Sequence, residues 1–92
     1  MKIRWCVEKS RVLKFRYGVS FEDIVRCRLI CMTQHPSRGN QELLLYERDD
    51  YIWVVPFVKD EDGIFLKTLF PNRKYTRLYR KGELNEEENR LE

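Results

Sequence analysis

The sequence has few of the residues that build metal centres and disulfide frameworks. Its 92 residues include one histidine, His35, and three cysteines, Cys6, Cys27 and Cys31. An odd number of cysteines without C-x-x-C spacing predicts neither a disulfide framework nor a zinc site. We therefore expect no cofactor and no metal, and three reduced thiols suit a cytoplasmic protein.

Long apolar runs and nucleotide-binding motifs are also missing. No stretch approaches the roughly 18 apolar residues needed to cross a bilayer, and no apolar signal-peptide segment follows the first charged residues. The sequence contains no G-x-G-x-x-G, P-loop or serine-nucleophile motif. Because 42% of the residues are hydrophobic, the chain is predicted to fold, as one soluble domain over residues 1–82.

Charge is divided unevenly along the chain. Residues 1–82 hold seventeen Lys and Arg against ten Asp and Glu, a net charge of +7, whereas residues 83–92 hold five Glu against one Arg, a net charge of −4. A basic body predicts a nucleic-acid partner or an acidic protein partner, and charge alone does not choose between them. Residues 83–92 are interpreted as an acidic tail, whose final Leu91 and Glu92 suit a cloning remnant.

The first third of the chain predicts a short strand and two helices. The stretch KIRW alternates charged and apolar residues, as a strand with one buried face does. Helix-forming residues run over about 8–17, and Gly18 stands where a helix closes. Ser20 and Asp23 then form a capping-box pattern, and apolar residues recur at helical spacing to about Met32.

Three strands are predicted next, from the stretches ELLLYE, YIWVVPFV and IFLKTLF. Their short, turn-forming connections favour a three-stranded antiparallel meander. Both alternating sets of the middle strand are apolar, so we expect it to be covered on both faces. Pro56 lacks an N–H and requires a bulge or an unpaired position within that strand. In the last strand, alternation places Lys67 on the same face as Phe65 and Leu69.

A basic segment, NRKYTRLYRKG, follows the last strand. If it is helical, its cations lie on one side at i, i+3 and i+4 spacing, and its large apolar residues face the sheet. The cations are Arg73, Lys74, Arg77, Arg80 and Lys81, and the residues of the apolar side are Tyr75, Leu78 and Tyr79. A basic helical face is often simply solvated, but this concentration of charge favours phosphate binding.

Two stretches resemble known toxin sequences. IRWCVEKSRVLKFRYGVSFEDIV is similar to the N-terminal pattern of BrnT-type toxins, a W-x-x-x-K segment followed by G-[VI]-S-F-E-[DE]. YIWVVPFVKDEDGIFLKTLFPNRKYTRLY resembles small toxin-like proteins with the order V-P-F-V, F-L-K-T, P-S-R-K and a final tyrosine. The likeness covers most of residues 3–79. It departs from that order at Asn72, which replaces serine, and at Tyr75, which replaces a small residue.

The resemblance implies a RelE/BrnT-like fold and the toxin of a bacterial type II toxin–antitoxin module, commonly an endoribonuclease. Metal-independent RNA cleavage needs a base, an acid and cations that stabilise the phosphate. Arg73 and Lys74 match P-S-R-K, and Arg73 is the main candidate for binding the scissile phosphate. Lys67 matches F-L-K-T, where partial burial beside apolar residues would suit it to proton transfer. Tyr79 is a candidate proton donor or stacking residue.

The remaining site candidates are a loop histidine and further cations. Histidine titrates near neutral pH, so His35 is a second-rank acid or base, although a lone loop histidine is more often structural. Arg38, in the same loop, is a candidate phosphate contact. The catalytic candidates are therefore Arg73, Lys67, Lys74, Tyr79 and His35, and the nucleic-acid-binding candidates are Arg77, Arg80, Lys81 and Arg38.

Three functions remain open from the sequence. The first is an endoribonuclease toxin that cleaves mRNA, free or on the ribosome, with a cognate antitoxin protein as its partner. The second is a non-catalytic module whose cations bind nucleic acid or an acidic protein. The third is a gyrase-directed toxin of the same fold. The compact basic motif favours RNA chemistry, so the first function is the prediction.

Overall fold

A mixed β-sheet forms the central layer of the computed structural model, which describes residues 2–84. The elements in chain order are β1 (Lys2–Arg4), α1 (Val7–Tyr17), α2 (Phe21–Ile24), β2 (Arg28–Gln34), β3 (Glu42–Arg48), β4 (Tyr51–Asp60), β5 (Gly63–Leu66), β6 (Phe70–Pro71) and α3 (Arg73–Arg80). The strands lie in the order β1, β5, β4, β3, β2, and β6 pairs with β4. Strands β2 to β5 form an antiparallel meander, whereas β1 runs parallel to β5. The predicted α+β class is confirmed.

Helix α1 ends where the sequence predicts. Gly18 has a φ of +76°, a backbone conformation that a residue without a Cβ adopts readily, and its N–H donates to the Lys14 carbonyl oxygen at 2.8 Å. Ser10 ties this helix to α2, because its Oγ donates to Glu22 Oε1 at 2.6 Å and accepts the Phe21 N–H at 2.9 Å. No helix within residues 2–84 combines the length and apolar character that a membrane span requires.

The second predicted helix is much shorter than expected. The capping box forms, since Ser20 Oγ accepts the Asp23 N–H and Asp23 Oδ2 accepts the Ser20 N–H. The helix nevertheless ends at Ile24, and residues 28–34 are strand β2, paired with β3. The prediction of a helix to Met32 is therefore wrong. The backbone of β3 hydrogen-bonds to this segment. That non-local pairing stabilises a strand here, although the spacing of the apolar residues also fits a helix.

The last predicted strand is interrupted beside Pro56. Phe57 pairs with Leu66 in β5, but Val54 pairs with Phe70 in β6, so one extra residue lies on the β5–β6 side. The Lys67 N–H donates to the Pro56 carbonyl oxygen at 2.8 Å at this irregularity. The pairing on this side of β4 is therefore interrupted next to Pro56. Proline has no N–H to donate, so an irregularity is expected at this position.

The sheet buries side chains on both faces. Helices α1 and α2 cover the first core, which consists of Leu13, Val19, Phe21, Ile24, Leu44, Tyr46, Val55, Phe57, Ile64, Leu66 and Leu69. Helix α3 covers the second core, which consists of Ile30, Cys31, Leu43, Leu45, Ile52 and Val54. Val54 and Val55 are neighbours on β4 and belong to opposite cores, which confirms two-sided burial of the middle strand.

The predicted acidic tail lies largely outside the described residues, which end at position 84. The Glu83 N–H donates to the Leu78 carbonyl oxygen at 2.9 Å, and Leu84 packs against the second core. These contacts hold the chain against α3 at the last described residues.

Candidate nucleic-acid interface

The first turn of α3 is fixed to strand β4 through the backbone of one residue, Ile52. Asn72 caps the helix, because its Oδ1 accepts the Tyr75 N–H at 2.8 Å, and its own N–H donates to the Ile52 carbonyl oxygen at 2.9 Å. Thr76 Oγ1 accepts the Ile52 N–H at 2.8 Å and donates to the Asn72 carbonyl oxygen at 2.7 Å. Asn72 thus has a structural function at the position where serine was expected, and both residue types cap helices.

A basic groove lies between α3 and the beginning of β4. It is an open depression of about 430 Å³, and its lining residues are Tyr51, Arg73, Thr76, Arg77, Arg80 and Lys81. The four cations project from one side of α3 because they are three or four residues apart. All four are exposed, so they present positive charge to solvent along about 12 Å of helix.

One carboxylate lies at the edge of the basic groove. Asp50 belongs to the turn between β3 and β4, and its Oδ2 lies 3.5 Å from Arg80 Nε. Arg80 also donates from Nη2 to the Asp50 carbonyl oxygen at 3.1 Å. Within residues 2–84, Arg73, Arg77 and Lys81 form no ion pair, so their charge is not neutralised by a carboxylate of the described chain.

The tyrosines of α3 face the sheet instead of the groove. Tyr75 and Tyr79 are half-buried and pack against the second core, as the helical spacing predicts. Burial, and to a lesser extent Cys31, raises the pKa of Tyr75 above its ordinary value of 10.0. The bulky residue at position 75 therefore fills core space, and Tyr79 does not line the basic groove.

Two lysines proposed for catalysis also lie outside the groove lining. Lys67 lies between β5 and β6, and its Nζ is 5.8 Å from the Phe65 ring centroid. The two side chains therefore lie on the same face, as the alternation of the strand predicts. Its side chain is exposed, and the partial burial expected for it is not observed. Leu69 belongs to the first core, because the irregularity beside Pro56 reverses the alternation after Lys67. Lys74 is exposed on α3.

The loop candidates His35 and Arg38 are remote from the basic groove. They precede β3, whereas Tyr51 pairs with the last residue of β3, and the seven residues of that strand span about 20 Å. The His35 Nδ1 accepts the N–H groups of Ser37 and Arg38 at 3.1 and 3.0 Å. By accepting both N–H groups, this ring nitrogen stabilises the conformation of the loop.

The geometry of the basic groove suits phosphate binding. Guanidinium groups present forked N–H donors that match phosphate oxygens, and three arginines lie along one helical face. Residues 2–84 contain no cluster of three or more His, Cys, Asp or Glu that would hold a metal ion. The groove lining contains neither histidine nor carboxylate, so its described side chains supply electrostatic stabilisation more readily than proton transfer.

Two residues of this region were not among the sequence-based candidates. The sequence pattern places Tyr51 on an apolar face of the middle strand and Asp50 in a turn. Both are next to α3 only because the hairpin of β3 and β4 ends beside the helix. A tyrosine directly after an acidic turn, in a chain with a basic helix, is the available sequence signal, and it is weak.

Comparison with known proteins adds no family to this picture. No protein-family model, curated protein or solved structure matches the chain. The α+β class, with a mixed sheet between helices, supports many unrelated functions, so function has to be argued from the residues of the basic groove.

Proposed function

We propose that this protein is the toxin of a toxin–antitoxin module and cleaves mRNA as a metal-independent endoribonuclease. The observation that carries the proposal is the basic groove, in which three arginines of α3 and Lys81, the residue that follows the helix, lie along one side of a shallow depression. Arg73, Arg77 and Lys81 have no carboxylate partner within residues 2–84, so an RNA phosphate would supply the missing negative charge. The toxin-like motifs of the sequence support the same function.

The proposed reaction is a transesterification within the RNA. The 2′-oxygen attacks the adjacent phosphorus as its proton leaves, and the bond to the 5′-oxygen breaks as that oxygen takes up a proton. The products are a 2′,3′-cyclic phosphate and a 5′-hydroxyl end. Arg73 and Arg77 stabilise the charge that develops on the phosphate oxygens. Lys74 follows Arg73 directly in the first turn of α3, outside the groove lining. Its ammonium is the proposed donor of the proton to the 5′-oxygen, and the proton of the 2′-hydroxyl leaves to water.

A second function, nucleic-acid binding without cleavage, is favoured by one observation. The described groove lining contains no histidine and no carboxylate, the groups that most often transfer protons in enzymes. Such a module would bind strands in a salt-dependent manner, because each neutralised phosphate releases counterions. It would leave the bound strand intact.

The proposed partner is a cognate antitoxin with an acidic segment. Negative side chains laid over the basic groove would neutralise the four cations and compete with RNA for them. The ribosome is a further proposed partner, since mRNA is presented there as a single strand.

The experiment is inducible expression in bacteria with mapping of RNA 5′ ends. Wild type is compared with Arg73→Ala and with Arg16→Ala, in which an exposed arginine is removed from α1 on the opposite side of the sheet. We expect new ends bearing a 5′-hydroxyl in wild type and in Arg16→Ala, and their loss in Arg73→Ala. Circular dichroism and thermal unfolding of the purified variants establish that each is folded.

Other outcomes point to other functions. Growth arrest with intact RNA and a DNA-damage response would replace the ribonuclease with a gyrase-directed toxin. Normal growth and intact RNA, together with salt-sensitive strand binding by the purified protein, would favour the non-catalytic module. New RNA ends that persist in folded Arg73→Ala would remove Arg73 from the proposed site.

A further inference from the structure

Helix α1 has apolar residues on two opposite sides. Leu13 is buried in the first core, whereas Phe15, two positions further along, is 94% exposed. Two residues of an α-helix are about 200° apart around its axis, so these side chains point in nearly opposite directions. Val12 is three residues before Phe15, lies beside it and is 51% exposed. The outer side of α1 therefore presents an apolar surface to solvent.

An apolar trough lies on the same face of the sheet as α1. Its floor consists of residues of the first core, the core to which α1 contributes Leu13. These floor residues are Leu44, Tyr46, Phe57 and Ile64. The trough has a volume of about 270 Å³ and is the part of this face that α1 and α2 leave open.

Both edge strands of the sheet contribute walls to the apolar trough. Ile3 of β1 pairs with Ile64, and Met32 of β2 pairs with Leu44. Side chains of directly paired residues lie on the same face of a sheet, so Ile3 and Met32 stand beside the floor residues. They are 46% and 44% exposed, and Leu29 in the same wall as Met32 is 44% exposed. The walls thus expose large apolar side chains.

Charged groups accompany both apolar surfaces. Glu8 and Arg11 precede Phe15 by seven and four residues, so they lie on the outer side of α1. Neither forms an ion pair within residues 2–84. At the apolar trough, Lys59 lines the wall and pairs with Glu42 at 3.2 Å. Each surface therefore carries one carboxylate and one cation beside apolar residues, and two such surfaces are complementary when opposite charges face each other.

The apolar trough suits an apolar side chain better than a small polar ligand. Small-molecule sites combine apolar walls with several polar groups that fix the orientation of the ligand. Lys59 is the charged residue of the described lining, and it already pairs with Glu42. Phe15 is a large apolar side chain of the same protein that lacks cover, and it projects from the same side of the sheet.

We infer that two copies of this chain form a symmetric dimer in which the outer side of α1 from each copy covers the apolar trough of the other, with Phe15 inserted in the trough. The arrangement is self-complementary, because both surfaces lie on one side of the molecule. Each α1 is then buried between two sheets, which accounts for apolar residues on both of its sides.

The interface of this dimer is small. Each phenylalanine buries about 150–250 Å², and the trough walls add to that area, so the total is at the lower end of specific interfaces and the dimer is weak. Helix α3 covers the opposite face of the sheet, so both basic grooves remain open in the dimer. The inference does not depend on the function proposed for that groove.

The test measures self-association by sedimentation velocity over a wide range of protein concentration. Wild type should shift from the monomer mass of 11.3 kDa towards twice that mass. The variants are Phe15→Ser, Phe15→Leu, which keeps an apolar side chain, and Met32→Lys in the trough wall. Thr33→Lys is the matched control, because Thr33 pairs with Leu43 of the second core and so lies on the opposite face of β2. Circular dichroism and thermal unfolding establish that each variant is folded.

The dimer predicts a specific pattern of association. Phe15→Ser and Met32→Lys each weaken it by at least about 30-fold, the effect of losing a well-packed anchor. Phe15→Leu and Thr33→Lys stay close to wild type. A mixture of Phe15→Ser and Met32→Lys should associate more tightly than either variant alone, because the intact α1 of one copy can cover the intact trough of the other.

Salt provides a further readout. Each copy has a net charge of +3, so added salt screens the repulsion between copies and should strengthen the dimer. Phosphate binding by the basic groove should instead weaken as salt is added. Weaker association at higher salt would overturn the apolar contact.

Every other pattern overturns the inference. A wild type that is monomeric at all concentrations excludes the dimer. Loss of association in Phe15→Ser alone would indicate pairing between α1 helices, and loss in Met32→Lys alone would indicate pairing through β2. A mixture that associates no more tightly than its components excludes the reciprocal contact. None of these results bears on RNA cleavage, which is tested separately by Arg73→Ala.

Discussion

Thr76 Oγ1 lies 2.8 Å from the backbone nitrogen of Ile52 and accepts its N–H. Both residues are buried. The N–H and carbonyl oxygen of Ile52 hydrogen-bond to Thr76 and Asn72, at the beginning of α3, instead of to a neighbouring strand. One hydroxyl thus gives the Ile52 N–H of β4 its partner and positions α3. The arginines of the basic groove depend on this contact for their placement relative to Tyr51.

Thr76→Val is expected to destabilise the protein. Valine has nearly the same shape but cannot accept a hydrogen bond, so the buried Ile52 N–H loses its partner. The free energy of unfolding in urea should decrease by about 1–3 kcal/mol. Thr76→Ser keeps the hydroxyl and serves as the matched control, with a smaller loss. Equal stability of the valine variant and wild type would show that the contact is not energetically important.

Features that depend on adjacent residues could be predicted from the sequence. The capping box of Ser20 and Asp23 and the closure of α1 at Gly18 require only local hydrogen bonds and backbone conformation. Residues 28–34 could not be predicted in this way. Their apolar residues suit a helix as well as a strand, and the choice is made by pairing with β3, which lies further along the chain.

The candidate site shows the same division. Arg73, Arg77, Arg80 and Lys81 share a helical face, so their grouping follows from spacing alone. Tyr51 joins them only through the three-dimensional position of the β3–β4 hairpin. The environment of Lys67 was misjudged because one extra residue beside Pro56 reverses the alternation of Leu69.

Stability should fall in acid through Asp23. A hydrogen bond from Lys14 and a second from the Ser20 N–H lower the pKa of Asp23 from 3.8 to about 2. Because the folded-state pKa is below the unfolded value, the stabilisation is fully present above about pH 4 and is lost as the pH falls towards 2. Urea midpoints measured from pH 5 to 2 should decline less steeply in Asp23→Asn than in wild type.

The pH slope of Asp23→Asn should not vanish. The pKa of Glu22 is also lowered, chiefly by the hydrogen bond from Ser10, and this carboxylate remains in the variant. Identical slopes in Asp23→Asn and wild type would contradict the assigned contribution of Asp23.

The turn between β3 and β4 offers a stabilising substitution. Asp49 and Asp50 have φ values of 55° and 65°, as the central residues of a type I′ turn do, and glycine adopts positive φ more readily than aspartate. Asp49→Gly should raise the free energy of unfolding by up to about 1 kcal/mol. Asp62→Gly is the matched control, because Asp62 lies in another acidic turn without positive φ. A similar gain in both variants would reject the backbone explanation.

Removing the carboxylate of Asp50 should strengthen strand binding by the basic groove. Asp50 Oδ2 lies 3.5 Å from Arg80 Nε and partly neutralises it, whereas the Arg80 contact to the Asp50 carbonyl oxygen survives substitution. Asp50→Asn should therefore bind an adenine RNA about 2- to 5-fold more tightly at low salt, the effect of one exposed ion pair. Asp49→Asn removes the same charge from the same turn without an ion pair to Arg80, and its gain should be smaller. If both variants gain equally, the change in net charge is the cause, and Asp50 has no specific effect on Arg80.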